Sequence, residues 1–443
     1  MLIPIDNFSV VRVRGDVSPT IFLPRSLAKE IGSLAVLKSG RNRIIACVLP
    51  NSLIKNKICS DGIAINTNSY LSLREPRNLV IERINPEKTI FVYGTLLSKY
   101  WNPYVGELNS GWIKIGSPYI RGVVKEVLAI WPRKSIYPLI KEGNKIVLGE
   151  LYPNVSPQVI EYLNSTESQL IRRRVDVFPI ENFVRTEAIP AQMYIHVGDR
   201  KRGLKSRTFR YPDAYYVLKY GFISYNFSED LLVKWINGNS PIVLTSPHGG
   251  LARPTDTPPS NNMYGDSFTL EITENIVKKT FELSGWTAVP SAIISRIHRN
   301  IVDLNRPWMP KHEKAAKIYL TYHRAIRRAI NLSRKKHSRT LILDIHGMKN
   351  YGPDIILGTN YGRSIRGFGE ELNELKETLE KKFSVDVDNH GLSGYYTTMR
   401  YGALLRVGVI QVEISMDIRM SEQKRSTLVN LLAEYIVSTT EKH

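Results

Sequence analysis

Cysteine is almost missing from this chain: its 443 residues hold two, Cys47 and Cys59. Two thiols cannot build a disulfide framework or a thiolate zinc site, so disulfide scaffolds and zinc fingers are excluded. No apolar run approaches the roughly 20 residues of a membrane span. The opening, "MLIPIDNFSVVRVRGD", lacks the basic-then-apolar layout of a signal peptide. The expectation is a cytoplasmic protein with no membrane association. Histidine is scarce too, nine in all, yet seven fall between His248 and His390. Whatever chemistry the chain performs is expected in that half.

Positive charge is plentiful. The net charge of +20 divides into surpluses of +6, +7 and +7 over residues 1–90, 91–240 and 241–443, so it is spread and not stored in one arm. The densest run, "RKRGLKSRTFR" (Arg200–Arg210), reads as a solvated basic linker, with a site for RNA or an anionic partner as the alternative. Spread positive charge also suits an anionic small-molecule or peptide substrate.

The length favours several domains. Residues 1–88 carry short strand-like runs ("SVVRVRG", "TIFLPRS", "RIIACVLP", "GIAINTN", "NLVIERI") punctuated by Gly, Asn, Pro and Ser, with one helical stretch, "RSLAKEIG". This is the pattern of a small β-barrel, and its layout resembles the double-psi β-barrel of the N-domain of AAA unfoldases. A recruiting or packing module for a protein partner is the expected role. "NPEKT" (Asn85–Thr89) marks a boundary. Residues 89–200 read as mixed and mostly β, 201–239 as the basic linker, and 240–443 as alternating apolar strands and helices. That alternation predicts an α/β domain with a largely parallel sheet.

In the middle segment "VYGTL" (Val92–Leu96), "YPLI" (Tyr137–Ile140) and "VLGELY" (Val147–Tyr152) stand in the order of the γ-glutamylcyclotransferase-like fold, which this stretch resembles. The resemblance implies a substrate-gripping turn at Tyr93, Gly94, Thr95 and Leu96, with Glu167 as general base. Ser168 and Ile171 stand where that family carries glycine and tyrosine. This favours a degenerate, binding-only domain over an active second site.

In the last segment polar groups end apolar strands, where open α/β sheets build their sites. His248 follows "PIVLTSP", Asp344 and His346 end "TLILDIHG", and Glu413 interrupts "GVIQVEIS". A glutamate inside an apolar strand is expensive unless it is paired or does chemistry. "DLNR" (Asp303–Arg306) sets an amide beside a guanidinium, a fork suited to a carboxylate; a plain Arg306–Asp303 pair is the alternative.

The run of "SPHGG", "HRNIVDLNR", "YLTYHRAI", "LILDIHG", "DIILGT", "GYYTTMRYG" and "IQVEIS" resembles N-formylglutamate amidohydrolases, of the zinc carboxypeptidase–aspartoacylase superfamily, across residues 240–443. The resemblance implies one Zn²⁺ per chain held by His248 and His346, and Glu413 as general base. It also implies Arg299 at the oxyanion, Asn305 and Arg306 as an α-carboxylate clamp, and Arg400 on a second carboxylate. Leu251 occupies the place where a carboxypeptidase carries its metal-binding carboxylate. Asp266, beyond a Pro/Asn-rich loop, is the expected third ligand, with Glu271 and Asp256 as fallbacks; plain capping of the following helix is the competing role for Asp266. The expected activity is hydrolysis of an N-acyl-glutamate-like or γ-glutamyl-type amide. The alternatives are a peptide or protein deconjugase, or carboxypeptidase-like enzyme, that recruits a polypeptide, and a non-enzymatic basic scaffold or RNA-binding protein.

Overall fold

The computed structural model describes residues 2–11, 18–40, 42–54, 62–93, 120–132, 139–142, 145–166, 171–180, 182–195, 206–208, 225–285 and 287–442. The chain divides into two compact units, Met1–Gly221 and Phe222–His443.

The first unit holds two seven-stranded sheets. One is built from β1 (Leu2–Ile5), β2 (Ser9–Val11), β3 (Thr20–Leu23), β4 (Leu34–Ser39), β5 (Asn42–Pro50), β6 (Ala64–Asn66) and β7 (Leu79–Arg83), in the order β1-β7-β4-β5-β3-β6-β2. Its core is aliphatic, with Ile21, Leu23, Ala35, Leu37, Val48, Ile65 and Ile81 buried. The stretch 34–39, not among the strand-like runs read from the sequence, is a strand as well.

The second sheet comprises β8 (Ile90–Val92), β9 (Ile120–Pro132), β10 (Leu139–Glu142), β11 (Lys145–Tyr152), β12 (Ile171–Pro179), β13 (Ile189–Ile195) and β14 (Ser206–Thr208). β9 pairs with both β11 and β12, which closes a ring through β8 and β13. Gly149 of the "VLGELY" run lies under the Phe91 ring: a Cβ there would sit 2.6 Å from that ring and 2.2 Å from the Val92 carbonyl oxygen. A helix spans Pro157–Thr166.

The second unit is an α/β domain on an eight-stranded sheet: β15 (Tyr225–Phe227), β16 (Val233–Ile236), β17 (Ile242–Ser246), β18 (Ser291–Ser295), β19 (Thr340–Gly347), β20 (Ile355–Gly358), β21 (Val385–Val387) and β22 (Val407–Ile414), ordered β15-β16-β18-β17-β19-β22-β20-β21. The central strands β18, β17, β19 and β22 run parallel. Helices bracket them at Thr269–Leu283, Glu313–Arg334, Gly369–Glu380 and Glu422–Lys442. Strands covered on both faces need unbroken apolar sequence, and every residue of β17, β18 and β22 is buried. The helix Glu313–Arg334 turns Ala315, Ile318, Tyr322, Ile326, Ala329 and Ile330 into the core at helical spacing.

Three strands, β14, β15 and β16, come from the stretch 201–239 that the sequence reads as linker. Lys234 in β16 is buried and pairs with buried Glu274 of the helix Thr269–Leu283. A lysine inside a short strand looks like a surface signal until its partner, forty residues away, is known.

Candidate active site

The parallel strands deliver their polar residues at one end of the sheet. His248 lies two residues past β17, and His346 and Glu413 are direct neighbours across the β19–β22 pairing. After His248 the chain runs beside the extension of β18, with parallel bridges from Gly250 to His298 and from Ala252 to Ile297. Only glycine fits at the turn. A Cβ on Gly249 would lie 2.4 Å from the Leu270 backbone nitrogen, and one on Gly250 would lie 2.2 Å from the Arg296 carbonyl carbon.

The loop that follows brings Asp266 home. Its N–H donates to the His248 carbonyl at 2.9 Å, and its Oδ2 accepts from the Gly347 N–H at 3.1 Å. His248 Nδ1 and His346 Nδ1 each lie 3.4 Å from that same Oδ2. The imidazoles meet edge to face, with centroids 4.8 Å apart. His248, Asp266 and His346 are all buried, and one ligand atom from each falls within 4.8 Å of the others. Asp266 does not cap the helix with its carboxylate, as the competing reading had it. Phe268, in the left-handed region at φ 67°, precedes the first turn, and the Asp266 backbone carbonyl takes up Thr269. Of the fallbacks, Asp256 is exposed and pairs with Lys314 at 2.8 Å, and Glu271 lies in the first helical turn; neither joins the cluster.

Each histidine is held from behind by a carboxylate. His248 Nε2 lies 2.8 Å from Asp303 Oδ1, and His346 Nε2 lies 3.0 Å from Asp344 Oδ2. That arrangement fixes ring orientation and turns both Nδ1 atoms toward one point, as metal-binding histidines require. Among the described residues, His248 Nδ1 is buried and makes no hydrogen bond. A buried, unbonded ring nitrogen is costly in a folded protein unless something takes it up.

The charges are strongly coupled. Burial alone would raise the Asp266 carboxyl, but the facing His248 and His346 outweigh it and hold it well below the usual range. Burial would lower His346, yet Asp344, Asp266 and Glu413 together raise it well above an ordinary histidine. Glu413 goes the other way from Asp266. Burial, reinforced by Asp266, raises its carboxyl despite the opposing pull of His346.

Asp303 is the hub that sequence reasoning saw only as a partner for Arg306. Besides His248, its Oδ2 takes Arg299 Nε at 3.1 Å and Arg306 Nε at 3.4 Å, and its Oδ1 accepts the Asn305 N–H at 3.0 Å. Arg299 reaches on to Asp266 Oδ1 at 3.4 Å. Asn305 is buried with its amide engaged inside the protein: Nδ2 donates to Gln411 Oε1 at 3.3 Å, and Oδ1 accepts the Thr397 N–H at 2.9 Å. Gln411 in turn donates to Glu413 Oε1 at 2.7 Å. Gln411 was missed, although its place two residues before Glu413 puts it on the same face of the strand. Arg306 lies over the Tyr395 ring at 4.5 Å, while Arg400 donates to the Tyr396 hydroxyl and sits 5.6 Å from the Tyr401 ring.

Arg419 was missed as well. It donates to the carbonyls of Ile414, Ser267 and Met348, clipping the ends of β22 and β19 to the loop that bears Asp266. Gly347 makes room for it, since a Cβ there would lie 2.5 Å from the guanidinium carbon.

Behind Arg400, His323 is buried with Nδ1 2.8 Å from the Tyr401 hydroxyl. Burial and the Arg400 charge push it down to about 3, and burial with Arg253 pushes His298 down to about 4. Both are therefore neutral when folded at pH 7, whereas in the unfolded chain they take protons near pH 6.5. The stability this represents is complete above pH 6.5. It falls as pH drops toward the folded-state values, by about 1.4 kcal/mol per pH unit per histidine. The unfolding temperature is expected to decline from pH 6.5 to 4, less steeply in His323→Gln. A scanning-calorimetry series with equal slopes for both proteins would remove His323 from this account.

In the first unit, Tyr93 donates to the Tyr194 carbonyl at 2.7 Å, and the Tyr194 hydroxyl donates to Asn164 Oδ1 at 2.6 Å. Gly94, Thr95, Leu96 and Glu167 lie outside the described residues. Glu150, not singled out in the sequence, is fully buried beside this strand and accepts the Tyr152 hydroxyl at 2.8 Å.

Among the described residues no helix is long and apolar enough to cross a membrane. No curated protein sequence matches the chain significantly. Solved structures similar to parts of it include an N-formylglutamate amidohydrolase from Ralstonia eutropha, 17% identical with a TM-score of 0.39, covering 50% of this chain and 97% of that one. A gene product of Agrobacterium tumefaciens is 15% identical with a TM-score of 0.37, over 48% of this chain and 94% of that one. An aig2-like protein from Mus musculus is 21% identical with a TM-score of 0.22, over 28% of this chain and 85% of that one. The model of the N-formylglutamate amidohydrolase family matches residues 309–420, the segment that carries His346, Arg400 and Glu413, in agreement with the resemblance read from the motifs.

Proposed function

We propose that the second unit is a zinc-dependent amidohydrolase, zinc-carboxypeptidase-like in architecture, that cleaves an amide of an acidic amino acid of N-acyl-glutamate or γ-glutamyl type. The observation that carries this reading is the convergence of His248, Asp266 and His346 within 4.8 Å, with Glu413 paired to His346 on the next strand. Two imidazole nitrogens and one carboxylate oxygen form a donor set that suits zinc, and the unbonded His248 Nδ1 fits a ligand atom. His248, Asp266 and His346 would hold one ion. When bound, zinc supplies Lewis acidity that polarises a carbonyl and acidifies water.

The remaining work falls to side chains. Glu413, raised by burial, takes a proton from the attacking water and passes it to the amide nitrogen as the C–N bond breaks. Gln411, oriented by Asn305, holds the Glu413 carboxyl in place. Asn305 is thus assigned to positioning, and the gripping of carboxylates falls to Arg306 and Arg400, both partly exposed. Arg299, tethered between Asp266 and Asp303, presents its charge where the oxyanion develops. The first unit is assigned a recognition role, its sheets read as a double-psi-like barrel and a binding-only γ-glutamylcyclotransferase-like domain.

The test is metal analysis of the purified chain with hydrolysis of N-formyl-L-glutamate. About one zinc per chain, lost in Asp266→Ala together with turnover, is expected. A native protein that takes up no zinc and releases no formate after zinc addition would overturn the reading.

A further inference from the structure

The helix Glu313–Arg334 changes character along its exposed side. Near its start the lysines are matched by acids, Lys314 by Asp256 and Lys317 by Glu229. From its middle onward Arg324, Arg327, Arg328 and Lys335, all exposed, line one groove with Asn331 and Leu332, and among the described residues no carboxylate lines it. Positions 324, 327/328, 331 and 335 recur once per turn, so the groove is a straight basic track about 16 Å long. The same helix also supports the site. Tyr319 donates to the Arg306 carbonyl at 2.7 Å, and His323, one turn before Arg327, contacts Tyr401 beside Arg400. Arg400 and Arg327 both act on the Tyr401 hydroxyl, opposing the rise that burial causes. One residue of the track, Arg327, therefore lies within electrostatic reach of Tyr401, which Arg400 contacts.

We infer that the substrate is a polymeric acid, a peptide bearing a run of carboxylates that extends from the scissile amide past Arg400 onto Arg324, Arg327, Arg328 and Lys335. The inference rests on the proposed amidohydrolase reading for the identity of the site, while the groove is tested by binding alone. Arginine forks suit carboxylates. About five extended residues, at roughly 3.3 Å each, span the track. A nucleic acid would bring phosphates of the same sign, but the lining offers no aromatic ring for its bases to stack on.

The experiment measures fluorescence anisotropy of labelled hexa-L-glutamate and di-L-glutamate on the full chain and on the double variant Arg327→Glu/Arg328→Glu. Both sites are exposed, and an unchanged unfolding temperature verifies the variant's fold. The native chain is expected to bind the hexamer at least tenfold more tightly than the dimer. The variant is expected to lose that difference while hydrolysing N-formyl-L-glutamate at the native rate. Equal affinity for both lengths, a length preference that survives the charge reversal, or displacement of the label by oligouridylate in preference to unlabelled hexaglutamate would each overturn the inference. Absence of hydrolysis in both proteins would count against the amidohydrolase reading, and the anisotropy arm would still decide the groove.

Discussion

Glu413→Gln is expected to lower kcat about 10²- to 10⁴-fold, the range ascribed to a positioned general acid–base group, with zinc content and fold preserved. The substitution suits its purpose. The amide keeps the volume of the carboxyl and retains an oxygen to accept from Gln411 Nε2, so the 2.7 Å hydrogen bond has a successor. What it lacks is the capacity to take a proton. The pH profile supplies a second readout. Burial, with Asp266 nearby, raises the Glu413 carboxyl above its ordinary value. A base works only when deprotonated, so kcat/KM of the native chain is expected to fall as pH drops through that raised value. In Glu413→Gln this acid limb disappears along with most of the rate. Native turnover in the variant, with zinc bound, would remove Glu413 from the mechanism.

Asp303→Asn is expected to be the most disruptive single change in the second unit. The carboxylate serves His248, Arg299 and Arg306 at once, and these partners, led by His248, outweigh burial and hold it far below the usual carboxylate range. With an amide in its place an NH2 group faces the two guanidinium groups, Arg306 loses its counter-charge, Arg299 keeps only Asp266, and His248 is left with a neutral oxygen in place of a charged one. Removing one member of a buried pair costs about 3–5 kcal/mol. The arginines are partly exposed, so about 2–4 kcal/mol is the expected loss, read from denaturant unfolding of metal-free protein. Loss of the carboxylate behind a metal-binding histidine adds a 10- to 100-fold weakening of zinc affinity, read by competition with a chromophoric chelator. The sign of the pH dependence follows from the depressed value. The stabilisation is fully present above the unfolded-state carboxyl near pH 3.9 and is lost as pH falls through the folded one. Unchanged stability and zinc affinity in Asp303→Asn would show that the hub is incidental.

Much of the second unit is legible in the sequence because its strands are buried on both faces. "PIVLT", "TLILDIHG" and "GVIQVEIS" stand out as apolar runs, and polar residues at their ends mark one side of the sheet. The helix Glu313–Arg334 shows its stripe at ordinary spacing. What is hidden is whatever depends on partners far apart in the chain. Lys234 reads as solvent-facing until Glu274 covers it. Arg419 reads as one more surface cation, yet it is buried, gathering three carbonyls from separate segments. Asp266 could be nominated, but a helix-opening aspartate has the same appearance whether it caps or faces histidines. Only the path of the loop beside the extension of β18, made possible by Gly249 and Gly250, distinguishes the two.

His346 and Glu413 face each other as partners in adjacent parallel strands. Their spacing is thus a repeat distance of the sheet itself, about 4.8 Å, as invariant as the hydrogen-bond lattice that sets it. Asp266 and the arginines, by contrast, are carried on connecting segments. Evolution or design can therefore rebuild those segments around new substrates, leaving the separation between the proposed ligand His346 and the proposed base Glu413 untouched.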